Sequence, residues 1–193
     1  MGFAGTAGLR QQKMFYMKAI ASLLGLAGLL LVPTAAAESS FESAYRASLL
    51  QSFGEASGKI LNLAEAFPEN TYGWRPMEGV NSVRDVLVHV TETNYALAER
   101  LGTKPPAGID RKKIGASMLT KADAIAATRR SIEFMKTVLG AVPPEGLISE
   151  VTVFGAKVPK LRVTLLPLDH AHEHLGQLIA YARMNHIVPP WSK

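Results

Sequence analysis

The 193-residue chain is predicted to fold as an all-α four-helix bundle, with a short extended or irregular segment before the last helix. Three observations lead there. Four stretches repeat apolar side chains at three- and four-residue steps, the period of one helix face. Clusters of proline and glycine separate them. One connection, between the third and fourth stretches, is longer than the rest, as a bundle with a crossover allows.

The first helix runs from about Phe41 to Phe67, with Tyr45, Leu49, Phe53, Ile60 and Leu63 on its apolar stripe. Gly54 and Gly58 each weaken it by up to ~1 kcal/mol relative to alanine, and Pro68-Glu69-Asn70 stops it. The connector TYGWRPMEGVN holds Tyr72 and Trp74, residues of buried type, and with Arg75-Pro76 it reads as a structural clasp. Helix two opens at Ser82, which with Asp85 forms a serine cap and an acid at the third helical position. Its stripe is Val83, Val86, Leu87, Val90, Leu97 and Leu101; Gly102 ends it and Pro105-Pro106 forbids continuation. Helix three spans about Ala116 to Gly140, with Met118, Ile125, Ile132, Met135, Val138 and Leu139 inward. The stretch LISEVTVFGAKVPKL fits a short extended pair or an ordered loop equally well. Helix four runs from about Thr164 to Asn185, with Pro167 in its first turn.

Residues 1–37 are predicted to be a signal peptide. Lys18 precedes the uncharged run AIASLLGLAGLLLV, and Ala35-Ala36-Ala37 supplies the small residues of a cleavage site. The run is shorter than the roughly 20 residues a membrane span needs. Translation from Met14 or Met17 suits the same leader, and an uncleaved anchor is the competing reading. The domain then comprises residues 38–193, exported to a periplasmic or extracellular location, with no stable membrane span after cleavage. Cysteine is absent, which excludes disulfides, thiolate catalysis and lipidation. The formal charge of +5 includes Arg10, Lys13 and Lys18 of the leader; without them the domain carries about +2, too little for a nucleic-acid partner.

The chemistry concentrates in LDHAHEHLGQ, residues 168–177. His170 and His174, four apart, stack on one helix face and can reach one metal ion. His172 lies ~200° round the helix from His170 and cannot join them. The literal H-x-x-E-H string matches a class of zinc peptidase, with Glu173 as base. That class takes a further carboxylate from downstream, and no acid follows His174. His89 is the other helical histidine; beside the Val86–Val90 stripe, it is expected to point towards the bundle interior and to supply a third ligand. Three imidazoles with open positions suit Zn²⁺, Ni²⁺ or Fe²⁺. Spacing alone leaves this metal site and a set of packing histidines equally open. Glu92 and Thr93, one turn after His89, and Gln177 and Tyr181, further along the His170–His174 face, are candidates to support the ligands or touch a substrate. Gly176 is expected to permit close helix packing, and His186 to lie on the surface.

Three segments together resemble the DinB/YfiT-like family of four-helix bundle metalloproteins: TYGWRPMEGVNSVRDVLVHV, VFGAKVPKLRV and HAHEHLGQLIAYARMNHIVPP. In order, they span most of residues 41–191. The resemblance implies one divalent metal at one end of the bundle, held by His89, His170 and His174, and no such role for His172. Some members of that family are thiol-dependent transferases acting with bacillithiol, mycothiol or glutathione. Those thiols are chiefly cytoplasmic, and the leader departs from that setting. The function expected is therefore a metal-dependent hydrolase or group (thiol) transferase on a small molecule. The alternative is a non-catalytic metal-binding module, in stress-related binding or otherwise. A homodimer is compatible with either, since related bundles often pair.

Overall fold

The computed structural model describes residues 35–143, 146–153 and 155–192, with side chains from Ser40 onward. Of the expected signal peptide, residues 1–34 lie outside the described residues. The bundle is the compact unit Phe41–Lys193. Its elements are α1 (Ala35–Ala66), α2 (Val83–Arg100), a single-turn α3 (Ile114–Ser117), α4 (Lys121–Ala141), the strands β1 (Glu150–Val153) and β2 (Ala156–Pro159), and α5 (Lys160–Met184). Among the described residues no helix is long and apolar enough to cross a membrane.

Four long helices enclose one core in which Phe53, Ile60, Leu63, Phe67, Leu87, Ile132, Met135 and Leu178 are fully buried. α2 packs along both α4 and α5. α1 is tied to the same two helices: Tyr45 Oη lies 2.7 Å from Thr164 Oγ1, and Arg46 donates to the carbonyls of Gly140 and Val142. Between α2 and α4 runs a buried polar seam. Thr91 Oγ1 meets Thr128 Oγ1 at 3.1 Å, and Asn94 Nδ2 donates to Ser131 Oγ at 3.0 Å. Each of these groups is paired inside the protein, so the seam fixes helix register without leaving an unsatisfied dipole.

The two ends of α2 follow the sequence. Ser82 and Asp85 form a reciprocal capping box. The connector adds to it: the Trp74 carbonyl accepts from Val83 N–H and the Tyr72 carbonyl from Arg84 N–H, satisfying donors that a helix start leaves free. At the other end Gly102, at φ 96°, lets Gly102 N–H and Thr103 N–H turn back to the Glu99 and Ala98 carbonyls. The connector is thus a clasp, as expected of Trp74 with Arg75-Pro76, but its ties to α2 run through the Trp74 and Tyr72 carbonyls; Tyr72 is buried and Trp74 half-buried.

Elsewhere the elements shift. α1 starts at Ala35 instead of Phe41. The expected third helix is two pieces: α3 ends at Ser117, and α4 starts afresh with Thr120 as its cap and Asp123 closing a second capping box. Arg84 holds the break, donating to the Met118 carbonyl at 2.6 Å and the Gly115 carbonyl at 2.7 Å. The segment before α5 is an antiparallel hairpin, with Glu150 opposite Pro159 and Val153 opposite Ala156. β2 runs straight into α5, which begins at Lys160, four residues before the expected start. Pro167 therefore sits inside the helix, not in its first turn. It cannot donate to the Val163 carbonyl, a defect that costs up to ~3 kcal/mol in a helix interior.

Candidate metal centre

α2 and α5 run antiparallel where they meet: Asn81, just ahead of α2, contacts Tyr181 near the end of α5, while His89 contacts His170. Helical periodicity places His170, His174, Gln177 and Tyr181 along one stripe of α5. His89 faces that stripe from α2. The Nε2 atom of His170 lies 3.0 Å from Nε2 of His89 and 3.0 Å from Nε2 of His174. One ligand atom from each of the three lies within 4.8 Å of the others.

This spacing fits a ligand set. Imidazole nitrogens around one tetrahedral ion stand roughly 3.3 Å apart. Each of these nitrogens carries either one hydrogen or one lone pair, so His170 Nε2 cannot make a full hydrogen bond to both neighbours at once. A cation at the centre satisfies all three nitrogens. The donors are also ready for it: burial, with the neighbouring His174 and His89, pushes the His170 imidazole down to about 3. Burial, with His174, lowers His89 as well, against the opposing pull of Glu92 and Glu173. Both rings are therefore neutral near pH 7, and a metal need displace no proton from them.

The three histidines descend from surface to core. His174 is buried, His170 half-buried and His89 exposed. His89 thus stands at the exposed edge of the α2–α5 contact, not in the bundle interior as expected, because α2 turns its Val86–Val90 stripe inward and carries His89 to the edge of it. Its exposure opens that side of the cluster to solvent. His172 is exposed, its Nδ1 3.1 Å from the Leu168 carbonyl one turn back, and takes no part.

The supporting candidates divide. Gln177 and Tyr181 join the site: His174 Nδ1 is 2.8 Å from Gln177 Oε1, Gln177 Nε2 donates to Tyr181 Oη at 2.9 Å, and Tyr181 donates to the Asn81 carbonyl at 3.0 Å. The Trp74 ring meets the Tyr181 ring edge-on, with centroids 5.3 Å apart. Sequence reasoning missed the Asn81 carbonyl and this Trp74 contact, since a main-chain acceptor carries no residue signal. Glu92 is half-buried and acts on His89 through its charge, while Thr93 makes no hydrogen bond to the triad. Gly176 is exposed, and a Cβ there would meet nothing within 4 Å, so it serves no close packing. His186 is exposed, as expected, at φ 57°, where it closes the end of α5.

The depressed His170 makes acid stability a test. Its ordinary value is 6.5 and its folded value about 3, so the unfolded chain takes up a proton that the folded chain refuses. Stability is complete above about pH 6.5 and falls as pH drops towards 3. In urea titrations of the metal-free protein, the midpoint should fall between about pH 7.5 and about pH 5. It should fall less in His170→Gln; equal losses in both proteins would count against the assignment.

The family model described as the DinB superfamily matches residues 53–178, a span that contains the triad. The crystal structure of a DinB-like protein of Bacillus subtilis, YjoA, is similar, with a TM-score of 0.59 over 76% of this chain and 97% of that one. The two are 23% identical, a likeness of fold. No curated protein matches the chain.

Proposed function

The chain belongs to the DinB superfamily and has its all-α fold, and on that premise we propose that it is an exported protein holding one divalent metal through His89, His170 and His174. The reading includes a hydrolytic or group-transfer reaction on a small molecule at that site. One observation carries the metal site: three imidazole nitrogens from two helices converge, His170 Nε2 at 3.0 Å from each of the other two, with the outermost ring open to solvent. A bound divalent ion supplies Lewis acidity, polarising an oxygen or sulfur or acidifying a water. The residues supply the rest. His174 holds the buried side of the site, His89 leaves its outer side accessible, and Glu92, one helical turn from His89, is the carboxylate nearest along α2 to accept a proton there. Export rests on the leader, residues 1–37.

Cobalt substitution tests this reading. The chelator-stripped protein should take up one Co²⁺ per chain, and its visible spectrum should change when azide is added as a probe of an open coordination position. Uptake with a spectrum indifferent to azide would favour a closed, non-catalytic site. No stoichiometric uptake would overturn the proposal.

A further inference from the structure

We infer that Gln177 and Tyr181 are positioning residues that set the tautomer of His174, and that the main-chain carbonyl of Asn81 dictates their direction. The purpose of this device, though not its existence, rests on the metal reading above. The argument follows hydrogens along one chain of bonds. A carbonyl only accepts, so at 3.0 Å the Asn81 oxygen must receive the single hydroxyl hydrogen of Tyr181. Tyr181 Oη then has only lone pairs to offer Gln177, so the group 2.9 Å away must be the amide NH₂. The amide oxygen is thereby turned to His174 Nδ1 at 2.8 Å, and an oxygen there requires hydrogen on Nδ1. In a neutral imidazole this leaves Nε2 bare, and Nε2 is the atom that faces His170.

The opposite tautomer would need the amide to flip and Tyr181 to turn its hydrogen to Gln177, leaving the Asn81 carbonyl without its partner. Surroundings oppose that. Tyr181 is 4% exposed and its ring is held edge-on by Trp74. Asn81 directly precedes the Ser82 cap, and the connector ahead of it is tied to α2 through the Trp74 and Tyr72 carbonyls. The clasp between α1 and α2 therefore reaches the metal site: its backbone decides which nitrogen of the most buried histidine is free. Among the described residues, neither His89 nor His170 has a protein partner shown on Nδ1, so His174 is the member of the triad controlled in this way.

Long-range ¹H–¹⁵N spectra of the metal-free protein near neutral pH read the tautomer directly, and Zn²⁺ titration reads its consequence. Wild type should show His174 as the Nδ1–H form alone. Tyr181→Phe, close in shape, removes the anchor; the Nε2–H form should appear and Zn²⁺ affinity should drop several-fold. Gln177→Leu should mix the tautomers and weaken Zn²⁺ by roughly 10–100-fold. Gln177→Glu, whose carboxylate can only accept, should keep hydrogen on Nδ1 while drawing the Tyr181 hydroxyl hydrogen away from Asn81. Unchanged spectra in both Tyr181→Phe and Gln177→Leu, with wild-type thermal midpoints, would overturn the inference. So would a wild-type His174 populating both forms, even if Zn²⁺ binds. A single Nδ1–H form in a protein that takes up no Zn²⁺ would support the inference while defeating the metal proposal.

Discussion

His170→Ala is expected to abolish stoichiometric metal binding, and His89→Ala to do nearly the same, while His172→Ala retains it. The order follows from position. His170 Nε2 is the hub, 3.0 Å from both other nitrogens, and its loss leaves two imidazoles from different helices, too few to hold the ion. Structural zinc sites bind with about 10–16 kcal/mol over four ligands, so each ligand is worth roughly 3 kcal/mol, on the order of a hundredfold in affinity. His172 has the same chemistry two residues away, yet its ring is turned back to the Leu168 carbonyl. Metal content after dialysis separates the three variants. Thermal melting gives a second reading, because a metal at a hundredfold excess over its dissociation constant stabilises the fold by about 2.7 kcal/mol. That gain should vanish on chelation in wild type and His172→Ala, and be absent throughout in His170→Ala. Metal retention in His170→Ala would remove the triad from consideration.

A large stability effect is expected at Met118. It belongs to no helix, yet it is 0% exposed, filling the core at the break between α3 and α4, with its carbonyl held by Arg84. Met118→Ala leaves a cavity that its surroundings, fixed by that hydrogen bond and the Thr120 cap, can close only in part. A loss of about 2–5 kcal/mol follows. Leu119, the next residue, is 73% exposed, and Leu119→Ala should change stability by no more than about 0.5 kcal/mol. Urea midpoints of the two variants make the comparison; similar losses at both positions would show that the break is not packed as described.

Much of this protein is written locally. The Ser82–Asp85 box, the Gly102 stop and the pairing of His170 with His174 all depend on residues within one or two helical turns. Local spacing therefore predicted them, and the exclusion of His172 as well. Thr120 and Asp123 were equally legible as a cap, but the apolar spacing running through Met118 masked them and suggested one continuous helix. Pro167 was misplaced for a related reason. A helix start at Thr164 would have made its missing N–H harmless, whereas the hairpin delivers the chain into α5 four residues earlier.

The sequence by itself determined the all-α class and most helix faces, because periodicity and capping act between neighbours in the chain; spacing paired His170 with His174, but left His89 open until the family resemblance joined it to them. Tertiary structure decided how the three histidines meet. Whether His89 lies at the edge or in the core depends on how α2 rotates in the bundle, and the buried Thr91–Thr128 and Asn94–Ser131 seam turns one face of it to α4. Whether LISEVTVFGAKVPKL is loop or hairpin depends on pairing across its own turn. The hydrogen on His174 is directed by a carbonyl about a hundred residues before Tyr181. Every peptide unit carries such a carbonyl, so the sequence could not single it out; only the approach of α5 to the head of α2 gives it a partner.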